Sequence, residues 1–303
     1  MTKITYHEPV LLSESINALQ INPEGIYVDC TFGAGGYSSE ILKNLNYKGR
    51  LIAFDKDEDA LVNSIDDSRF TLIKTDYRFI INFLKLHHAL PVDGIIADLG
   101  LSSHHIDTFE RGFSFRFQDA NLDMRMDKNN NITAAYILNN YSIENLNRIF
   151  KSYGEIKCAE KIANAVVENR KNKEIRIVSD LINIIKPFTK AKKENQFYAK
   201  VFQALRIEVN QELESLKLLL KQLPELLKPT GRALIITYHS LEDRLVKNFF
   251  KTGSLEGILK KDFYGNIISP WKYPPIKAIK HTEKEIKKNN RARSAKLRLA
   301  IKR

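Results

Sequence analysis

Three stretches of this sequence hold residues whose types and spacing could do chemistry. The first is Ile26–Tyr37, IYVDCTFGAGGY, in which a short apolar run ends in Asp29 and a glycine cluster, Gly33, Gly35 and Gly36, follows. Glycines there let the backbone adopt positive φ and come close to a ligand. A carboxylate, Asp55, closes the next apolar run, Leu51–Asp55, 22 residues after Gly33, the distance at which an acid at the end of a second strand holds ribose hydroxyls. The second stretch is Asp98–Asp127, DLGLSSHHIDTFERGFSFRFQDANLDMRMD, rich in Ser, His, Asp, Arg and Phe but poor in the periodicities of a core. The third is Tyr238-His239-Ser240, followed by Glu242-Asp243-Arg244. His104 and His105 have no carboxylate or cysteine at ligand spacing, so no metal site is expected.

These residues need a scaffold, and the first half of the chain reads as alternating strand and helix. A helix is expected from Ser38 or Ser39, with Ile41, Leu42 and Leu45 on one face. Strand Leu51–Phe54, a helix near Glu58–Ile65, strand Thr71–Lys74, a helix over Phe79–Leu86 and strand Gly94–Ala97, closing on Asp98, follow. This is the pattern of a parallel, doubly wound α/β sheet. The next strand, Arg232–Thr237, begins more than 130 residues later. A crossover needs only about 30 residues, so a separate unit is expected between them.

That insert reads as helical: Thr133–Asn140, Ser142–Phe150 and Glu155–Arg170, then a helix capped by Ser179 and ended by Pro187. Lys190–Asn195 reads as a charged loop, and Tyr198, Phe202, Leu205, Val209, Leu213, Leu216 and Leu220 form one amphipathic seam. The return to the sheet is placed near 205, giving a discontinuous domain of 1–105 and 206–303 around an insert of 106–205. After Pro229-Thr-Gly231 and the fifth strand come a helix (Leu241–Phe250), a weak strand near Lys277–Ile279, a basic helix over Thr282–Lys288 and a last strand, Leu297–Ile301.

The 303 residues are 43% hydrophobic, enough for a sizeable core. No apolar run approaches the ~20 residues of a membrane helix, and the first residues lack the apolar centre of a secretory signal. A cytoplasmic protein with no membrane partner is expected, its Cys30 and Cys158 reduced. The net charge of +12 sits mostly in residues 272–303, where 12 Lys/Arg face only Glu283 and Glu285, a balance of +10. Such a concentration suits a polyanion.

The glycine turn is Gly33-x-Gly35-Gly36-x-Ser38, so the third glycine of the dinucleotide fingerprint is missing. Carboxylates at the ends of strands one and four, Asp29 and Asp98, suit the sulfonium of S-adenosylmethionine better than a pyrophosphate. The Asp98–Asp127 stretch leaves the carboxyl edge of the sheet, where α/β folds bind substrate.

Taken together, HEPVLL from His7, YVDCTFGAGGYS, DLGLSSHHID, ERGFSF, LDMRMD, FQALRIEVNQEL, YHSLEDR and NNRARSAKLR resemble the bacterial small-subunit rRNA (cytosine-N4)-methyltransferases. The motifs run in order from residue 7 to residue 298. The resemblance implies a class I, Rossmann-like methyltransferase fold with a helical insert and S-adenosylmethionine as donor. It implies N4 of a cytidine in the decoding (P-site) region of 16S rRNA in the small subunit as acceptor. Cofactor positions of the family fall on Gly35, Gly36, Tyr37, Asp55, Tyr77, Asp98 and His105. Tyr37 stands where His is frequent, Tyr77 where Phe is frequent and His105 where Gln is frequent.

Cytosine N4 is a poor nucleophile because its lone pair is delocalised into the ring. An enzyme must hold N4 about 3 Å from the methyl and accept its N–H groups. Asp98 is the candidate acceptor, with Ser102, Ser103 or His239 assisting, and Phe113 or Phe115 is a candidate to hold the unstacked base. Amino-methyltransferases of DNA carry [Asp/Asn/Ser]-Pro-Pro-aromatic at this point. Asp98-Leu-Gly-Leu stands here instead, which argues against DNA. A non-catalytic Rossmann-like RNA-binding protein and a small-molecule methyltransferase are the competing readings.

Overall fold

The computed structural model describes residues 9–272, 276–281 and 289–303. The chain forms two compact units, Leu101–Glu212 and the remainder on either side of it. The boundaries expected from sequence, 106 and 205, both fall inside the second unit.

The first unit is built on a seven-stranded sheet. Its strands are β1 (Ile26–Asp29), β2 (Arg50–Asp55), β3 (Phe70–Lys74), β4 (Val92–Asp98), β5 (Leu227–Thr237), β6 (Ile279–Lys280) and β7 (Lys296–Ile301). The order is β3-β2-β1-β4-β5-β7-β6. The first five strands are parallel, and β7 runs antiparallel to β5 and β6. Both faces are covered, which is why the strands read as continuous apolar runs. Successive residues go to opposite layers: Val28, Ile52, Ile95 and Ile235 to one, Tyr27, Leu51, Ile96 and Leu234 to the other. The first layer is closed by α10 (Glu212–Leu226), through Leu216, Leu219, Leu220 and Leu223 at helical spacing. The second is closed by α1 (Leu12–Leu19) and α2 (Gly36–Asn44), through Leu19, Ile41 and Leu42.

The strand order reverses between β1 and β4, whose carboxyl ends are Asp29 and Asp98. This is the switch point at which open α/β sheets bind ligands. Helix α2 starts at Gly36, two residues before the expected Ser38, because Gly35 takes a left-handed conformation and serves as its cap. The expected helix near Glu58 is a 3₁₀ segment, Glu58–Asn63, and the one expected over Phe79–Leu86 is α3 (Ile80–Leu86). The expected basic helix at 282–288 lies outside the described residues, as do His7 and Glu8.

The basic tail is more structural than its charge suggests. Strand β7 is an interior strand, so removing 291–303 would tear the sheet. Lys296 and Arg298 both donate to Asp243, at 2.9 and 2.6 Å, and Lys302 donates to the Leu227 carbonyl. These cations are engaged within the fold.

The second unit packs α4 (Ser103–Asp107), α5 (Ala134–Asn140), α6 (Ile143–Ser152), α7 (Ala159–Arg170), α8 (Val178–Ile185) and α9 (Glu194–Asn210) around one core. Ser179 lies inside α8 instead of capping it; the Asp180 carboxylate accepts from the N–H groups of Arg176 and Ile177. The Lys190–Asn195 loop is partly helical, since α9 begins at Glu194. The long amphipathic seam is two helices, broken where Gln211 takes φ of 50°.

Candidate active site

In the first unit, the residues that end β1 build a rigid turn. Asp29, 1% exposed, accepts from Ser38 Oγ at 2.7 Å and from Thr31 N at 3.1 Å. Burial pushes its carboxyl up to about 6, against the opposing pull of those two hydrogen bonds; the nearby charge of Asp55 adds to the rise. Asp29 therefore organises the turn from beneath.

Gly33 is half-buried and is the glycine of that turn with open space at its Cβ position. Its φ is +51°, and a Cβ there would meet nothing nearer than the Thr31 carbonyl at 4.0 Å. Its N–H donates to Asp55 Oδ2 at 2.8 Å, and its carbonyl accepts from Asn63 Nδ2 at 3.1 Å. Asp55 Oδ1 accepts from Asp57 N at 2.9 Å. The carboxylate at the tip of β2 is thus locked to the glycine loop after β1. The other glycines serve packing: a Cβ on Gly35 would fall 2.9 Å from the Phe32 ring, and one on Gly36 2.2 Å from Pro9 Cγ. Tyr37 is buried, its ring in the core and its hydroxyl donating to the Val10 carbonyl. Any ligand contact at Tyr37 is left to its backbone.

Asp98, at the tip of β4, is held at both ends. Its N–H donates to Thr31 Oγ1 at 2.7 Å, and its Oδ1 accepts from the Tyr238 hydroxyl, also at 2.7 Å. Tyr238 follows β5, and the buried Glu242 fixes its backbone by accepting from Tyr238 N at 2.9 Å. His239 caps α11 (Ser240–Thr252), its Nδ1 accepting from Glu242 N at 3.4 Å. Its Nε2 lies 3.0 Å from Glu242 Oε1, but misaligned for a hydrogen bond. Tyr77 opens the 3₁₀ turn after β3, half-buried against the sheet core. Beside it, burial of Asp76 is outweighed by Lys56 and Arg78, which hold that carboxyl below its usual range.

The second unit contains Ser102 and His105. Ser102 caps α4, its Oγ accepting from His105 N at 3.2 Å, while His105 Nδ1 accepts from Ser102 N at 3.2 Å. The His105 ring is buried, 4.9 Å from that of Phe113. Phe113 is itself buried, and Phe115 packs edge-on against Tyr198 and Phe202, so both rings are committed to the core. The rest of this stretch is more core than loop. Ala120, Leu122, Met124 and Met126 are buried, and Leu122 N and the Ala120 carbonyl pair with Arg176 O and Val178 N. Their alternation is a strand-like signal that was present in the sequence. The buried Asn210 fastens it, donating to the Met124 carbonyl and accepting from Met126 N, each at 2.7 Å.

Gly33 belongs to the glycine cluster singled out above and is its open member, whereas the donation from Tyr238 to Asp98 had no signal in the sequence. A tyrosine after a strand gives no sign of its partner 140 residues away.

Known proteins share this whole chain. The Ribosomal RNA small subunit methyltransferase H of Bacteroides thetaiotaomicron is 52% identical over 300 residues, covering 99% of this chain and 98% of the relative. The protein of the same name from Bacteroides fragilis is 52% identical over 298 residues, 98% of each chain. That of Flavobacterium johnsoniae is 51% identical over 301 residues, 99% of each. A profile described as the MraW methylase family matches residues 4–303, and this chain belongs to that family.

Proposed function

We propose that this methylase transfers the methyl group of S-adenosylmethionine to N4 of a cytidine in the decoding region of 16S rRNA, acting on the small ribosomal subunit in the cytoplasm. The observation that carries the cofactor assignment is the contact of Asp55 with Gly33: an acid at the second strand tip, fixed beside a glycine whose outer side has room for a ligand. A carboxylate has about four acceptor sites, and Asp55 at the strand tip is of the type that accepts ribose hydroxyls, its orientation fixed by the N–H groups of Gly33 and Asp57. The absence of a third fingerprint glycine disfavours a dinucleotide. When bound, S-adenosylmethionine supplies an electrophilic methyl on a sulfonium.

The chain's own residues do the rest. The backbone of the Gly33–Tyr37 turn would hold the amino-acid end of the donor and Tyr77 would cover the adenine; within the fold the N–H of Gly33 donates to Asp55 and that of Gly35 to the Phe32 carbonyl. The resemblance also assigns His105 to the cofactor; Ser102 N donates to its Nδ1. Asp98 accepts an N–H of the cytosine amine, draws its lone pair out of conjugation and takes the proton released when the nitrogen is alkylated. Thr31 and Tyr238 fix the Asp98 backbone and carboxylate for that task. His239 and Ser102 are positioning residues, each capping a helix that follows a sheet-edge segment.

The test is transfer of labelled methyl from S-adenosylmethionine to small subunits lacking the modification, with the product nucleoside identified. Label in N4-methylcytidine supports the reading. Absence of label, or label on a small molecule without ribosomes, overturns it.

A further inference from the structure

An arm of the first unit lies apart from the residues assigned above. Residues 257–271 follow α11 after a short connection and fold back on themselves: Ile268 N donates to the Lys260 carbonyl at 2.9 Å, and Lys261 pairs with Ile267. The arm is rooted in the core. Trp271 is 1% exposed, with Phe249 and Phe250 at ring separations of 6.0 and 5.5 Å. Arg303 ties the returning strand down, through its N–H to the Pro270 carbonyl at 2.9 Å and its side chain to the Ile267 carbonyl at 3.0 Å.

The tip of this arm carries two aromatic rings into solvent. Phe263 is 97% exposed and Tyr264 86%, their rings 5.6 Å apart and nearly perpendicular. The turn that presents them is fixed. Asp262 accepts from Tyr264 N, Asn266 N and Asn266 Nδ2 at 2.8 to 3.0 Å, and Gly265 closes the turn at φ of +86°. Those same hydrogen bonds, Asn266 first, hold the Asp262 carboxyl below its usual range. That acid is the only one between 257 and 272, whereas Lys260, Lys261 and Lys272 are all exposed. Lys260 is shared with Glu256, and the Asp262 carboxylate is engaged by the turn's own N–H groups. Two aromatic faces on an ordered turn, with Lys261 and Lys272 beside them, make a surface for an anionic partner that has flat apolar groups. Single-stranded RNA has both features.

We propose that the Phe263–Tyr264 tip stacks on unpaired bases of the RNA substrate while Lys260 and Lys261 meet its phosphates. The proposal rests on the rRNA reading above and names a second contact for that substrate. Its test uses the full chain with both aromatics replaced, Phe263→Ala with Tyr264→Ala, and in parallel with both replaced by Leu. Both side chains are exposed, so thermal unfolding should be unchanged.

Binding of a fluorescent single-stranded RNA oligonucleotide is expected to weaken about tenfold or more in both pairs. KM for unmethylated subunits should rise in step, with kcat and S-adenosylmethionine affinity retained. Unchanged oligonucleotide affinity in the Ala pair would overturn the proposal. So would wild-type behaviour of the Leu pair, which would point to apolar docking on a protein. If the wild-type chain transfers no methyl to subunits, the functional reading fails, yet the oligonucleotide titration still decides this one.

Discussion

The hydroxyl of Tyr238 and Oδ1 of Asp98 stand 2.7 Å apart, joining the tips of two neighbouring strands. Asp98 is thereby fixed by a donor from β5 as well as by Thr31 from the turn after β1. On the role proposed for Asp98, the tyrosine keeps the carboxylate in one orientation for the approaching amine. Replacing Tyr238 with Phe removes one hydrogen bond to a charged group, a loss of about 1.5–3 kcal/mol. Steady-state kinetics should show kcat lowered roughly 10–100-fold, with calorimetric affinity for S-adenosylmethionine unchanged. An unaltered kcat would remove Tyr238 from the account.

The glycines of the first turn should separate by function. Gly33→Ala puts a methyl on the open side of the turn at φ of +51°, with a strain of about 1–2 kcal/mol. Gly36→Ala drives a methyl to 2.2 Å from Pro9 Cγ. Calorimetry and thermal unfolding together should find that Gly33→Ala mainly weakens S-adenosylmethionine binding, while Gly36→Ala mainly lowers the melting temperature. The reverse pattern would mean that the ligand lies against Gly36.

Asp29 gives the fold a pH signature. Burial raises its carboxyl from 3.8 to about 6, so the folded state holds this proton where the unfolded chain has released it. Stability from the protonated form is complete below pH 4 and is lost as pH rises through about 6. Asp29→Asn cannot titrate. The melting temperature of the wild type minus that of Asp29→Asn should therefore fall between pH 4 and pH 6.5 and level off above. A difference that rises over the same window would contradict the assignment.

Asn210 should govern the second unit. Replacing it with Leu leaves Met126 N and the Met124 carbonyl without their buried partner, a loss of at least about 2 kcal/mol. Hydrogen exchange should show earlier opening of 120–126, with protection of β1 and β4 unchanged. Uniform loss of protection across both units would count against a local role.

The sheet was legible because parallel strands covered on both faces leave uninterrupted apolar runs, as at Ile95–Ala97, with β1, β2 and β4 each closed by an acid. The proximity of the glycine turn to Asp55 was legible because it depends on backbone conformation and on spacing within one βαβ unit. What spacing cannot carry is a partner far along the chain. Tyr238 with Asp98, and Asn210 with Met124, are contacts made by folding. The stretch from Gly112 to Met126 misled because its polar residues hide an alternating apolar set that pairs with 176–178. Net charge alone does not record that Lys296 and Arg298 of the basic tail are paired with Asp243.

The most direct measurement is calorimetric titration of S-adenosylmethionine into the wild type and into Asp55→Ala, with NAD as control. The account predicts one site per chain in the wild type, affinity lowered about 10–100-fold in the variant, and no heat from NAD. Equal affinity in the two proteins, or tighter binding of NAD, would contradict it.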